Sequence, residues 1–360
     1  MSFSFDDGTF FCYSSSHRKR SVELMRFLTI VVSLLSIVFL TSCYSKQPVK
    51  VEETPLGTST ITASDVADFP SHAITVIIGF KAGGGTDVGA RVLCSVAQKY
   101  LGQSLIITNT SGADGELGYA RICNAKPDGY TLGFINLPTF VSLPLDRQTL
   151  YSVDGITPIM NHVFDPAVLV VRNDSSFTDL EAYIGYAKAN PFIITVGNNG
   201  YGASNHIAAA HFCKETGIQV THVPFGGSVD MLTALDKGYV QSVVAKISEV
   251  AKAQRDGKYR LLASFTQERL PSFPDVPTLV EKGIPVTFGS ARALVAPRGT
   301  PPEVLAILLA AFKQAMEDNE NIVQSKALDL PLHYMGPEEL ATYIEEQRRY
   351  ITETVPTLPL

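Results

Sequence analysis

Ile74-Thr-Val-Ile-Ile-Gly79, continued by Phe80-Lys-Ala-Gly-Gly-Gly-Thr-Asp87, is the stretch on which the fold turns. A short apolar run rich in β-branched residues reads as a buried strand, the glycines as a tight turn, and the apolar period that follows from Asp87 to Leu101 as a helix. Outward from this unit the pattern repeats. Ser104 to Thr108 predicts a strand, Gly115 to Ala125 a helix, and Tyr130 to Ile135 a third strand after the turn Pro127-Asp-Gly129. Strands alternating with helices in this rhythm predict parallel sheets covered on both faces.

The rhythm restarts with strands at Ala167 to Val171, Ile193 to Val196, Val220 to Val223, Val240 to Ala245 and Arg260 to Ser264. Helices are predicted over Leu180 to Ala189, Ala203 to Thr216 and Val229 to Lys237. Leu294 to Pro297 reads as a strand leading out, and helices over Pro302 to Asp318, Asn321 to Ala327 and Pro337 to Val355 complete the chain. With 360 residues, of which 45% are hydrophobic and 18% charged, the chain suits two globular lobes and lies outside disordered compositions. A formal charge of −6 and the lack of a Lys/Arg stripe argue against a nucleic-acid partner.

The N-terminus reads as an address. Phe27 to Leu40 is an apolar run of 14 residues, preceded by Arg18, Lys19, Arg20 and Arg26 and followed by Thr41-Ser-Cys43. It falls short of the ~20 residues a membrane-spanning helix needs and has the parts of an export signal. Leu40-Thr-Ser-Cys43 resembles the lipobox of bacterial lipoproteins, which implies lipidation of Cys43 and anchoring to a bilayer. An ordinary cleaved signal with an incidental cysteine is the alternative. Met25 is a second candidate start, which would leave residues 1–24 upstream of the protein. Residues 43–72 read as a tether. Cys94, Cys123 and Cys213 show no metal-ligand spacing, and Cys94 with Cys123 fits either a disulfide or buried thiols.

The glycine turn Gly79 to Asp87 joins a strand end to a helix start, where unpaired backbone N–H groups favour an anion. It lacks the Gly-Lys-Ser/Thr of a phosphate-binding loop, and no acid ends the second strand as a dinucleotide site requires. A carboxylate therefore fits better than a nucleotide, and Asp87 reads as an N-cap or first-turn acid. A second such loop, Gly197-Asn-Asn-Gly-Tyr-Gly-Ala-Ser-Asn-His206, lies in the other half of the chain. Opposed loops of this kind can enclose a small acid. His206 is readable as site wall or as a capping or core residue. No nucleophile elbow, zinc-helix motif or paired-carboxylate signature appears, so neither an enzyme nor a cofactor is expected.

Several further stretches carry a resemblance: Gly83-Gly-Gly-Thr-Asp87 with Ala90-Arg91, Leu101-Gly-Gln103, Pro127-Asp-Gly-Tyr-Thr131, His222-Val-Pro-Phe-Gly-Gly-Ser228, Leu270-Pro-Ser-Phe-Pro-Asp-Val-Pro-Thr278 and Ala296-Pro-Arg-Gly-Thr-Pro-Pro302. In this order and spacing the chain closely resembles the TctC/Bug family of extracytoplasmic solute-binding proteins, receptors of tripartite tricarboxylate transporters. The resemblance implies an α/β, two-lobed, type II periplasmic-binding-protein-like fold, each lobe a mostly parallel sheet flanked by helices. Lobe 1 is expected over 73–166 and 292–360, lobe 2 over 167–291. It further implies a small carboxylate ligand and the transporter's membrane subunits as partners. The implied ligand contacts fall on Phe80, Lys81, Ala82, Gly83, Gly84, Gly85, Thr86 and Asp87, on Gly200 to His206 (Gly200, Tyr201, Gly202, Ala203, Ser204 and His206 above all), and on Pro224 to Ser228, with Phe225 and Gly226 foremost.

The chain departs from the family pattern at Gly79 and Lys81, at Phe225-Gly-Gly-Ser228, at Ala245-Lys246 and at Ser290-Ala-Arg292. Lys81, Lys246 and Arg292 thus stand near the expected cleft where the family carries no cation, and an acid is missing. A ligand with two or more negative groups would pair them; long side chains reaching solvent would not need it. The other readings are an exported nucleotide-binding enzyme and a ligand sensor feeding a histidine kinase.

Overall fold

Ile74–Ile78 forms the strand β1 because every second residue must be buried on each face of a sheet covered from both sides, and only Thr75 is less than fully enclosed. The computed structural model describes residues 68–359; Phe27 to Leu40 and Cys43 lie outside them. After β1 come α1 (Gly85–Leu101), β2 (Leu105–Asn109), α2 (Glu116–Cys123), β3 (Thr131–Leu137), α3 (Thr139–Asp146) and the long β4 (Ile156–Arg172). The second lobe holds α4 (Leu180–Ala189), β5 (Thr195–Asn198), α5 (Ser204–Thr216), β6 (Thr221–Pro224), α6 (Ser228–Asp236), β7 (Ser242–Lys246), α7 (Ile247–Arg255) and β8 (Tyr259–Ser264). The chain returns through β9 (Gly289–Pro297) to α8 (Pro302–Glu317), α9 (Asn319–Ala327), β10 (Leu332–Met335) and α10 (Pro337–Thr354).

The first sheet has the order β2-β1-β3-β9-β4-β10 and the second β8-β4-β7-β5-β6. The βαβ strands pair in parallel, as expected: β1 with β2 and β3, β5 with β6 and β7. The strands that pass between lobes add antiparallel pairs, because β9 returns against the direction of β3 and of β4. β4 belongs to both sheets. Pro166 pairs with Gly289 of β9, and the next residue, Ala167, pairs with Lys246 of β7. The fold is therefore α/β and two-lobed, with one strand threading both halves.

Each lobe has its own core. α1 buries Ala90, Leu93, Ala97 and Leu101 on one stripe, against Val304, Leu308, Ala311, Phe312 and Ala315 of α8 and the sheet residues Ile74, Val76 and Ile78. It ends at Gly102, whose φ of 67° lets its N–H reach the Gln98 carbonyl. In the second lobe Leu169, Val171, Val196 and Val244 of the sheet pack against Ala208, Phe212 and Cys213 of α5. Cys94, Cys123 and Cys213 are free thiols.

Five stretches escape the sequence reading: α3, which carries Pro144 inside it, α7, β10 and the N-terminal halves of β4 and β9. Among the described residues no helix is long and apolar enough to cross a membrane.

The glycine turn owes its path to close packing. A Cβ on Gly118 of α2 would overlap Gly79 Cα and approach the Thr110 carbonyl to 3.1 Å. Both obstacles are backbone and cannot swing away. Gly118→Ala is accordingly expected to lower unfolding free energy by about 1–3 kcal/mol, read as a lower midpoint in urea; an unchanged midpoint would show that the turn has slack.

Candidate functional site

The first glycine turn is held from behind. Asp87, 2% exposed in the first turn of α1, accepts hydrogen bonds from Gly83 N at 2.9 Å, Arg91 Nε at 2.9 Å and Asn109 Nδ2 at 2.9 Å. Asn109 Nδ2 also donates to the Phe80 carbonyl at 3.0 Å, tying the end of β2 to the turn. Burial acts to raise the Asp87 carboxyl, but the bonds from Arg91, Gly83 and Asn109 outweigh it and leave the group below its ordinary value. Asp87 is thus an ionised acid that shapes the loop. Its oxygens face the protein.

What the turn presents forward is Phe80, Lys81, Gly84, Gly85 and Thr86, which line a cleft together with Asn136, Asn199, Gly227, Ser228, Val229 and Glu249. The start of α1 from lobe 1 and the start of α6 from lobe 2 therefore meet at one cavity. The approach is close: a Cβ on Gly84 would lie 3.4 Å from Ser228 Oγ. Asn136 Nδ2 donates to Thr86 Oγ1 at 2.9 Å, which fixes both on the lobe 1 side. The cleft is nearly shut, with room for about one or two waters. At its rim Lys81 Nζ reaches across to Asp230 of α6 at 2.7 Å, with both side chains substantially exposed.

The second glycine loop takes a different place. Only Asn199 of that loop lines the cavity. Gly202 lies against lobe 1, its carbonyl accepting from Ser142 Oγ at 2.7 Å, and Gly200, with φ of 131°, packs on the Asp114 carboxylate. Ala203, Ser204 and His206 are buried beneath the loop, and Tyr201 is exposed. His206 Nδ1 accepts from Gly202 N at 3.1 Å, so the neutral ring props the loop. Phe225 and Gly226 flank the cavity without lining it, Phe225 packing near Gly197 and Gly226 near Asp230. Ala82 and Gly83 lie on the turn but outside the lining.

The three added cations have separate fates. Lys81 is paired with Asp230. Arg292, 2% exposed, lies against Gly85 and is paired with Asp165 at 2.5 Å, with Ser248 Oγ 3.3 Å from its Nη1. Only Lys246 is buried with its Nζ unbonded among the described residues. Burial pulls Lys246 down to about 8, while Glu249 and Asp165 hold it up in part. The acid missing from strand β7 is thus replaced by two acids from elsewhere, Asp165 on β4 and Glu249 on α7. Sequence reasoning misses Glu249, Asn136, Asn199 and Val229 as wall residues, whereas Gly227 and Ser228 fall within the expected stretch Pro224 to Ser228. Glu249 had a signal, since it is the third residue of a helix whose buried Ile247, Val250 and Ala251 follow an i, i+3, i+4 spacing.

Among the described residues no group of three His, Cys, Asp or Glu side chains is arranged to hold a metal ion. The cleft offers hydrogen-bond donors without a nucleophile beside a base, which suits binding.

Burial lowers His206 to about 3, with His222 at 4.8 Å between ring centroids adding to the effect, and lowers His162 to about 3. The unfolded chain takes up protons near pH 6.5, whereas the folded protein resists until about pH 3. Stability therefore falls as pH drops below 6.5, by about 2 kcal/mol for each of these imidazoles at pH 5. Urea unfolding at pH 7 and pH 5 should show that loss, and His206→Phe should reduce it by one imidazole's share. Histidine ring resonances of these two that titrate near pH 6.5 would contradict it.

Residues 89–356 match the family described as the tripartite tricarboxylate transporter family receptor. A protein of Cupriavidus necator named the UPF0065 protein in gbd 5'region is 37% identical over 294 residues, covering 81% of this chain and 89% of its own. Among solved structures, MatC of Rhodopseudomonas palustris with bound malate is 30% identical with a TM-score of 0.74, covering 80% of this chain and all of its own. Another R. palustris protein, with adipate, is 26% identical with a TM-score of 0.77, covering 81% and 98%. The two-lobed fold, the donor-lined cleft and these matches agree: the chain belongs to the tripartite tricarboxylate transporter receptor (TctC) family and is a solute-binding receptor, not an enzyme.

Proposed function

We propose that the protein is a lipid-anchored extracytoplasmic receptor that captures a small di- or tricarboxylate between its lobes and delivers it to the membrane subunits of a tripartite tricarboxylate transporter. The observation that carries this reading is the convergence of two helix starts, Gly84 to Thr86 from one lobe and Gly227 to Val229 from the other, on one cavity. Their free N–H groups and helix dipoles favour negative charge, each by roughly 0.3–1 kcal/mol and more once water is excluded. The malate and adipate of the two solved relatives support the ligand class.

The remaining parts follow from the same physics. A cavity of this size excludes a dicarboxylate, so the lobes must part to load and close over the ligand. The place where β4 changes partners, between Pro166 and Ala167, and the facing start of β9 at Gly289 are the hinge. Phe80, Lys81, Gly84, Gly85 and Thr86 contact the ligand from lobe 1, and Asn199 with Ser228 from lobe 2. The second loop and His206 act one step back, by positioning Asn199. Cys43 carries the lipid, supported by the sequence Leu40-Thr-Ser-Cys43 alone. Two acyl chains hold a soluble domain firmly at a bilayer.

Calorimetric titration with a panel of mono-, di- and tricarboxylates, alongside ATP and NAD, tests the reading. At least one di- or tricarboxylate should bind and the nucleotides should not; binding of a nucleotide in place of any acid would overturn it. The Lys81 to Asp230 pair bridges the lobes only when they are together. A half-exposed pair contributes up to about 1 kcal/mol, so Lys81→Ala should weaken the bound acid by up to about fivefold. The difference from wild type should shrink at high salt. An effect that persists undiminished in high salt would mean that Lys81 acts other than through this pair.

A further inference from the structure

Nearly every polar group on the cleft wall offers a hydrogen. The backbone N–H groups at Gly85 and Ser228 do so, as does the Lys81 ammonium at the rim. Two acceptors stand apart among the described residues: the Asn199 carboxamide oxygen, buried without a partner, and Glu249, the one acid on the wall. Its side chain is 7% exposed, and it lines the same small cavity as Gly85 and Asn136. Its own helix start holds it in place, with Oε2 accepting from Lys246 N at 3.0 Å.

The second oxygen is left over. Glu249 Oε1 accepts no hydrogen bond from a described residue. The nearest charged donor, Arg292 Nη2, is 3.8 Å away and already paired with Asp165. Burial raises the Glu249 carboxyl above its ordinary value while Arg292 and Lys246 act to lower it. The oxygen still touches the solvent of the cleft, and once a solute displaces that water it is costly unless the solute supplies a hydrogen. A plain diacid cannot supply one, because it would set a second carboxylate oxygen against the first.

We infer that Glu249 is a specificity-determining residue: it selects, among small carboxylates, those that carry a hydroxyl or ammonium group close to the carboxylate held at the glycine turns, and this group donates to Glu249 Oε1. The inference rests on the carboxylate-receptor reading and adds to it the donor that the ligand must bear. Because Glu249 lines the same cavity as Gly85 and Ser228, that donor belongs close to the captured carboxylate.

The test titrates the full chain with two matched sets, succinate, malate and aspartate, then glutarate, 2-hydroxyglutarate and glutamate. Within each set the members differ chiefly in the group on the carbon next to one carboxylate. In at least one set the hydroxy or amino acid should bind at least about tenfold more tightly than the plain diacid, the size of one hydrogen bond to a charged group. In Glu249→Gln the amide oxygen must face Lys246 N, which turns the NH₂ toward the cleft. The preference should then vanish or reverse, with the far-ultraviolet circular dichroism of the variant confirming that it folds. A smaller wild-type ratio in both sets, or a ratio that survives Glu249→Gln, overturns the inference and leaves the receptor reading intact. If the wild type binds no acid from either set or from the wider panel, the receptor reading itself falls.

Discussion

The continuity of β4 governs the rest of the molecule. Seventeen residues run unbroken from Ile156 to Arg172, and the strand exchanges its neighbours between two adjacent positions. At about 3.3 Å per residue this strand spans both lobes. Because a strand turns alternate residues to opposite faces, the register at Pro166 and Ala167 sets how the second sheet is presented to the first. That presentation brings the start of α6 opposite the start of α1. The glycine turns supply the chemistry of the cleft, and β4 supplies the place where they meet.

Beneath the cleft the same crossing gathers four charged side chains. Asp165 on β4, Arg292 on β9, Lys246 at the end of β7 and Glu249 in α7 share one buried neighbourhood. Two acids offset two bases, which keeps the summed charge low, as a poorly solvated interior demands. Hydrogen bonding is less even than charge. Arg292 is engaged by Asp165 and Ser248, whereas Lys246 Nζ has no bond. The cations that the sequence shows are therefore largely answered from within the protein, and of the three Lys246 alone keeps an ammonium without a hydrogen bond among the described residues.

Much of the fold could be read from the residues. The βαβ units were legible because period and composition change together, from the β-branched run Ile74 to Ile78 to the amphipathic stripe of α1. α3 was not legible, because Pro144 inside it reads as a breaker and local propensity gives no hint that tertiary packing overrides it. α7 was legible in principle but short, and it falls between two strands that draw the eye. The first glycine turn could be placed on the cleft from its spacing. The second could not be refined, since whether a glycine loop faces a ligand or the opposite lobe depends on how the halves are set, as Ser142 on Gly202 shows. The ion pairs of Arg292 and Lys81 join residues more than a hundred positions apart and leave no local trace.

Asp87 spends its charge on the backbone of its own loop. Because it clasps Gly83 N and is itself clasped by Arg91 and Asn109, three consecutive glycines that would otherwise be among the freest residues in the chain are already ordered before any solute arrives. The entropy of fixing that segment is settled during folding and is not charged to recognition. In the proposed receptor, capture then depends mainly on how readily the halves swing together, as a stiff jaw closing on its joint.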